Sequence, residues 1–124
     1  MAITSYLDLE VYRRSMSVLV RVHCMLLNFP DYEIRELASQ IRRASKSIPL
    51  NIAEGYGRKR SEKDFKYFLS NAMGSSNEMR VSLEIAKLLG YASENECDQL
   101  IGQYIEIGKM LNGLISSWHS NTVT

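Results

Sequence analysis

Residues 40–60 read QIRRASKSIPLNIAEGYGRKR, and this stretch decides the fold. Ile41, Ala44 or Ser45, Ile48 and Ile52 recur at steps of three and four, the spacing of one buried helix face. Pro49 lies inside that pattern and removes one backbone donor. Ile52 and Ala53 stay in phase beyond it, so the proline is expected to kink the helix rather than end it. Gly55 and Gly57 are expected to stop it. Away from the isoleucines, Gln40, Arg43, Ser47, Asn51 and Glu54 share one narrow polar strip. Six of the chain's 15 Lys and Arg residues lie in the stretch: Arg42, Arg43, Lys46, Arg58, Lys59 and Arg60, with Lys63 just beyond.

The same periodicity continues on both sides. Upstream, Asp31 is the expected N-cap of this helix, and Ile34 and Leu37 extend its stripe. An earlier helix is expected from about Leu7 to Asn28, ending before Phe29-Pro30, because the residue before proline resists the α conformation. Downstream, Ser61 with Asp64 marks a weak capping box. The third helix carries Phe65, Phe68, Ala72, Ser75 or Ser76, Met79, Leu83 and Ala86 before Gly90 closes it. Gly74, with Ser75 and Ser76, is expected to permit close helix approach. Ser93 with Glu96 opens a fourth helix bearing Leu100, Tyr104, Ile107, Leu111, Leu114 or Ile115, and Trp118. The tail after His119 is expected to fray. Strand-like alternation is absent. The expectation is all-α: one domain over residues 1–124, an antiparallel up-down four-helix bundle.

The first helix is too apolar for one buried face. Leu9, Tyr12, Met16, Leu19, His23 and Leu26 form one stripe, widened by Val20, Cys24 and Leu27. Val11, Ser15, Val18, Val22, Met25 and Phe29 form a second. Two readings are open. Either one stripe faces the bundle and the other a second subunit, or the helix lies unusually deep in a monomer. The first is preferred, with Val11, Val18, Val22 and Met25 as the oligomer interface.

At 124 residues the chain can bury one modest core. An apolar fraction of 45% and a charged fraction of 23% are ordinary for a soluble globular protein. No run approaches the roughly 20 apolar residues of a membrane span. MAITSYLDLE has no basic n-region followed by an apolar one, so no secretory signal is expected and a cytoplasmic location is the default. Cys24 and Cys97 have no metal or redox spacing and are expected to stay free. The net charge of +1 is uneven: −1 over residues 1–34, +5 over 35–77 and −3 over 78–124. An anionic partner would therefore be held by the middle segment alone.

Little here points to catalysis. His23 and His119 have no Cys, Asp or Glu at metal spacing, and no metal or cofactor is expected. Glu54 and Glu78 would be a carboxylate pair with no nucleophile, oxyanion donors or phosphate loop beside them. Gly55-Tyr56-Gly57 is neither a Walker nor a dinucleotide motif. The polar strip reads either as a binding groove or as a hydrogen-bond network that fixes helix register, bridged through Glu78 or Arg80. The basic residues Arg42, Arg43, Lys46, Arg58, Lys59, Arg60 and Lys63, near Tyr56 and Tyr67, read either as a nucleic-acid contact or as a solvated, charge-rich turn.

Gln40-Ile41-Arg42-Arg43-Ala44, Ser47-Ile48-Pro49, Asn51-Ile52-Ala53-Glu54-Gly55 and Arg58 together resemble the 23S rRNA intervening-sequence protein family, also labelled S23 ribosomal proteins. Phe68-Leu69, Ala72, Gly74-Ser75, Glu78, Leu88-Leu89-Gly90-Tyr91 and the run Lys109 to Ile115 support the resemblance, which covers about Leu9 to Ser117. It implies a four-helix bundle assembled as a homopentamer. It also implies kinship with the accessory variability proteins of diversity-generating retroelements, which are basic pentamers that bind nucleic acid and a reverse transcriptase. This chain differs from them in its near-neutral charge. The expected function is a non-enzymatic homo-oligomeric scaffold that binds nucleic acid, RNA foremost, through the basic residues. The alternative is a protein-interaction module without nucleic-acid binding.

Overall fold

The computed structural model describes residues 3–118. Four helices make the fold: α1 (Glu10–Leu26), α2 (Leu37–Gly57), α3 (Glu62–Leu88) and α4 (Glu94–Ser117). Two 3-10 turns, Tyr6–Asp8 and Asp31–Glu33, precede α1 and α2, and no strand occurs among the described residues. Neighbours pack in a closed circuit, α1 on α2, α2 on α3, α3 on α4 and α4 on α1. The α2–α3 and α3–α4 seams are the most extensive, and α1 rests more lightly between α2 and α4.

The helix ends follow from local chemistry. Ser61 Oγ accepts the Asp64 N–H at 3.1 Å and Ser93 Oγ accepts the Glu96 N–H at 3.1 Å, each satisfying one orphan donor of a first turn. At the end of α3, Gly90 adopts φ +76°. The Tyr91 N–H then reaches Ala86 O at 2.9 Å and the Gly90 N–H reaches Lys87 O at 3.1 Å, a Schellman closure that a Cβ at Gly90 would strain. Pro49 does not interrupt α2.

One core runs through the circuit. Val18, Val22 and Met25 of α1 meet Ile41, Ile48 and Ile52 of α2, Phe65, Leu69, Met79 and Leu83 of α3, and Leu100, Tyr104, Ile107 and Leu111 of α4. Three of its four buried serines donate to backbone carbonyls. Ser15 donates to Tyr12 O at 2.8 Å, Ser45 to Arg42 O at 3.1 Å and Ser76 to Tyr104 O at 3.0 Å. Cys97 is buried and Cys24 exposed, both as free thiols. Burial pushes the Cys97 thiol pKa up, leaving it unreactive.

Four expectations need correction. The second helix begins at Leu37, not after Asp31, and Ile34 is exposed. The cause is Glu33, whose Oε1 accepts the Leu37 N–H at 3.1 Å and whose Oε2 accepts the Tyr91 hydroxyl at 2.7 Å. The α3–α4 turn thus sets where α2 starts. Second, Gly55 does not stop α2 but lies within it. A Cβ there would stand 3.0 Å from Phe68 Cβ and 3.3 Å from Phe65 O, so Gly55 lets α2 and α3 meet closely. Gly74, expected in that role, has nothing within 4 Å of such a Cβ. Third, Leu69 rather than Phe68 occupies the α3 core position, and Phe68 stays half-buried on the α2 seam.

The fourth concerns α1. Val11, Val18, Val22 and Met25 are at most 2% exposed inside the chain's own core, so they do not form an interface with another subunit. Their stripe is central because its flanks meet both neighbours. His23 Nε2 lies 3.1 Å from Ser45 Oγ on α2, and Arg21 donates to Gln99 Oε1 on α4 at 3.1 Å. The other stripe divides. Leu9 and Leu26 are buried, Tyr12, Leu19 and His23 are half-buried, and Met16, Val20 and Leu27 face outward, with Val20 61% and Leu27 85% exposed. His119 and the tail beyond it lie outside the described residues.

Candidate functional site

The polar strip of α2 lies along the α2–α3 seam. Arg43 Nη2 meets Glu78 Oε2 at 3.1 Å. One turn on, Ser75 Oγ donates to Ser47 Oγ at 2.8 Å. The Asn51 amide then donates to Ser47 O at 2.8 Å and to Ser47 Oγ at 2.9 Å. Glu54 accepts from Arg58 Nε at 2.8 Å. Gln40 is exposed at the other end. Two of these contacts, Arg43–Glu78 and Ser75–Ser47, cross from α2 to α3, and the others lie within α2. The strip's charged members are well exposed, so each ion pair contributes at most about 1 kcal/mol. The hydroxyl–amide step in the middle is half-buried and fixes the register of the two helices.

The seven basic residues separate into two groups. Arg42, Arg43 and Lys46 sit at mid-α2. Arg58, Lys59, Arg60 and Lys63 surround the α2–α3 turn, about 18 Å further along the helix axis from Lys46 at 1.5 Å per residue. The first group is partly committed to the fold. Arg42 donates to Ile34 O at 2.8 Å, and Arg43 is held by Glu78. Lys46 is exposed beside a shallow depression of about 480 Å³ lined by Arg42, Ser47, Leu50 and Asn51.

At the turn, Arg58 is pinned by Glu54 and lies over the Phe68 ring at 5.2 Å. Lys59 Nζ stands 4.2 Å over the Tyr56 ring. Such contacts fix the direction of each cation. Lys59, Arg60 and Lys63 are exposed and form no ion pair among the described residues. Of the nearby acids, Glu54 pairs with Arg58 and Glu62 with Lys66 at 2.9 Å, while Asp64 lies in the first turn of α3 next to Lys63. Tyr67 is 60% exposed and packs edge-on against Phe68, with centroids 5.1 Å apart.

Elsewhere, Lys87 bridges Asp98 at 2.8 Å and Glu84 at 3.1 Å, and these bonds raise its pKa. Hydrogen bonds to Tyr32 and Glu33 raise that of Tyr91. The first cluster ties α3 to α4, and the second ties the α3–α4 turn to the 3-10 turn before α2. Glu54 and Glu78 each form an ion pair with an arginine. Among the described residues no three or more His, Cys, Asp or Glu side chains converge on a metal position. None of the described helices is long and apolar enough to cross a membrane.

This four-helix architecture, with the Arg43–Glu78 ion pair beside a basic turn, is the setting for the comparison with known proteins. The model of the family described as 23S rRNA-intervening sequence protein matches residues 7–113. The chain belongs to this family. A similar solved structure is that of a protein of unknown function from the S23 ribosomal protein family of Bacteroides thetaiotaomicron VPI-5482. It is 26% identical, with a TM-score of 0.76, over 86% of this chain and 99% of that one. No curated protein matches the chain. Family membership therefore carries the fold.

Sequence reasoning missed two parts of the surface. Phe68, expected in the core, is the platform under Arg58. Arg58, expected among the open cations, is held by Glu54. The i, i+4 spacing of Glu54 and Arg58 was the available signal.

Proposed function

We propose that the protein is a non-enzymatic scaffold that binds RNA electrostatically at the α2–α3 turn and presents that turn in several copies by self-association. The observation that carries this reading is the cluster of Lys59, Arg60 and Lys63, exposed, without ion pairs among the described residues and set near aromatic rings. Cations left uncommitted by the fold are those that release counterions on meeting phosphate, which gives affinity without base specificity. Lys46 supplies a further contact, while Arg42, Arg43 and Arg58 serve the fold first.

Self-association is assigned to the outer face of α1. Met16, Val20 and Leu27 are exposed apolar residues on the side of α1 away from its core stripe, and Leu50 adds another on the outside of α2. An apolar face of this kind suits a second copy of the chain. The up-down antiparallel order and the ring of five that the family resemblance implies are proposed for the assembly. Repetition around a ring would turn weak single contacts into useful avidity.

The test is binding of the purified protein to a structured RNA and a same-length duplex DNA at low salt. A variant carrying Lys59→Glu, Arg60→Glu and Lys63→Glu runs beside it, with light scattering on both. An oligomer that binds RNA, and a variant that keeps its oligomeric state but loses binding, is the expected result. Absence of binding at low salt overturns the RNA reading. A mass near the 14.2 kDa of one chain overturns the assembly.

A further inference from the structure

We infer that the α2–α3 turn takes single-stranded nucleic acid, with one base stacked on Tyr67 while Lys59, Arg60 and Lys63 hold the adjoining phosphates. This rests on the reading of the turn as a nucleic-acid contact and specifies the form of ligand.

Tyr67 is a large aromatic residue left 60% exposed on a helix whose other aromatics are withdrawn, Phe65 fully and Phe68 partly buried. Its ring is braced rather than loose. It packs edge-on against Phe68 at 5.1 Å and 81°. Phe68 in turn lies under the Arg58 guanidinium at 5.2 Å, which Glu54 fixes at 2.8 Å. A chain of contacts from Glu54 to Tyr67 thus holds an aromatic surface toward solvent, so little ordering entropy is lost when a base covers it.

Cations and small polar groups continue the surface along α3. Lys63 precedes Tyr67 by four residues, which places both on the same helix face. Ser70, Asn71 and Gly74 follow on that side, all exposed and none bulky. Extended backbone laid along this face meets positive charge at the turn and hydrogen-bonding groups beyond it. The face is convex. A side chain on it cannot enter the deep, narrow major groove of duplex RNA, and the bases of a duplex are already stacked on one another. Only an unpaired base can swing out to cover Tyr67.

The test is fluorescence anisotropy with a short oligouridylate and with a same-length RNA duplex, at fixed low salt. It uses the full chain, Tyr67→Ala, Tyr67→Phe and the triple variant of Lys59, Arg60 and Lys63 to Glu. The native protein should prefer the single strand. Tyr67→Ala should weaken single-strand binding by roughly five-fold to a hundred-fold, the range of one lost stacking contact, and leave duplex binding unchanged. Tyr67→Phe should bind like the native protein, since it keeps the stacking face. If Tyr67→Ala binds the single strand as tightly as the native protein while the triple variant does not, the stacking inference is overturned and the electrostatic reading stands. Equal affinity of the native protein for strand and duplex likewise overturns it. If the native protein binds neither RNA, both readings fall.

Discussion

Replacing Gly55 with alanine sets two effects against each other. Alanine is the better helix former by about 1 kcal/mol, and Gly55 lies inside α2 with no positive φ to protect. Against that stands the α2–α3 seam. The new Cβ would lie 3.0 Å from Phe68 Cβ and 3.3 Å from Phe65 O. Neither atom is the loose end of a side chain. One is rooted at the α3 backbone and the other belongs to it, so the helices themselves must part by a few tenths of an ångström. Phe65 and Leu69, both fully buried beside the seam, would lose contact along its length. Overpacking of this kind costs about 1–3 kcal/mol, so against the roughly 1 kcal/mol of propensity the expected outcome is a net loss of up to about 2 kcal/mol. Gly74→Ala supplies the internal control, because it is also mid-helix but meets open space, and it should gain about 0.5–1 kcal/mol. Urea unfolding of the two variants beside the native chain measures the difference at unchanged m-value. A Gly55→Ala variant as stabilised as Gly74→Ala would refute the close approach of α2 and α3.

Three further outcomes are expected. Val18→Glu should unfold the chain, since it places a carboxylate in a position 2% exposed, whereas Val20→Glu on the 61% exposed outer face should keep native circular dichroism and reduce the mass seen by light scattering. His23 is held below its usual pKa of 6.5 by burial and by the charges of Lys46 and Arg42. The unfolded chain therefore binds the proton more readily, so stability is full above pH 6.5 and falls as pH drops through the depressed folded value. Urea midpoints between neutral pH and about pH 5 should fall less steeply in His23→Gln. Finally, the Tyr104 hydroxyl is buried with no hydrogen-bond partner among the described residues, and burial raises its pKa. Tyr104→Phe should raise stability by about 1 kcal/mol in the same unfolding assay; a loss of more than that would mean the hydroxyl is satisfied.

Helix content was legible because each helix writes its buried face at three- and four-residue steps. Ile41, Ile48 and Ile52, or Leu100, Tyr104, Ile107 and Leu111, leave little choice of period. The misplacements share a cause, namely contacts between residues far apart in sequence. The start of α2 depends on Glu33, whose carboxylate is held by Tyr91, 58 positions away. Gly55 and Gly74 look alike in sequence, and only the distance to Phe68 separates them. On α1 two apolar stripes lie side by side, and the choice between them is made by where α2 and α4 stand. For the surface, the sequence supplied the seven cations but not their commitments. Arg42 is taken by a backbone carbonyl, Arg43 by Glu78 and Arg58 by Glu54, which leaves Lys46, Lys59, Arg60 and Lys63 without an ion pair among the described residues.

The salt dependence of RNA affinity tests this account most directly. Log K against log salt is measured for the native protein and for the variant with Lys59, Arg60 and Lys63 changed to Glu. Three phosphate contacts per engaged turn predict a slope that is shallower by about 2–3 in the variant, with affinity lost most strongly at low salt. Equal slopes for the two proteins, or RNA binding that does not respond to salt, would contradict the assignment of the α2–α3 turn as the phosphate-binding surface.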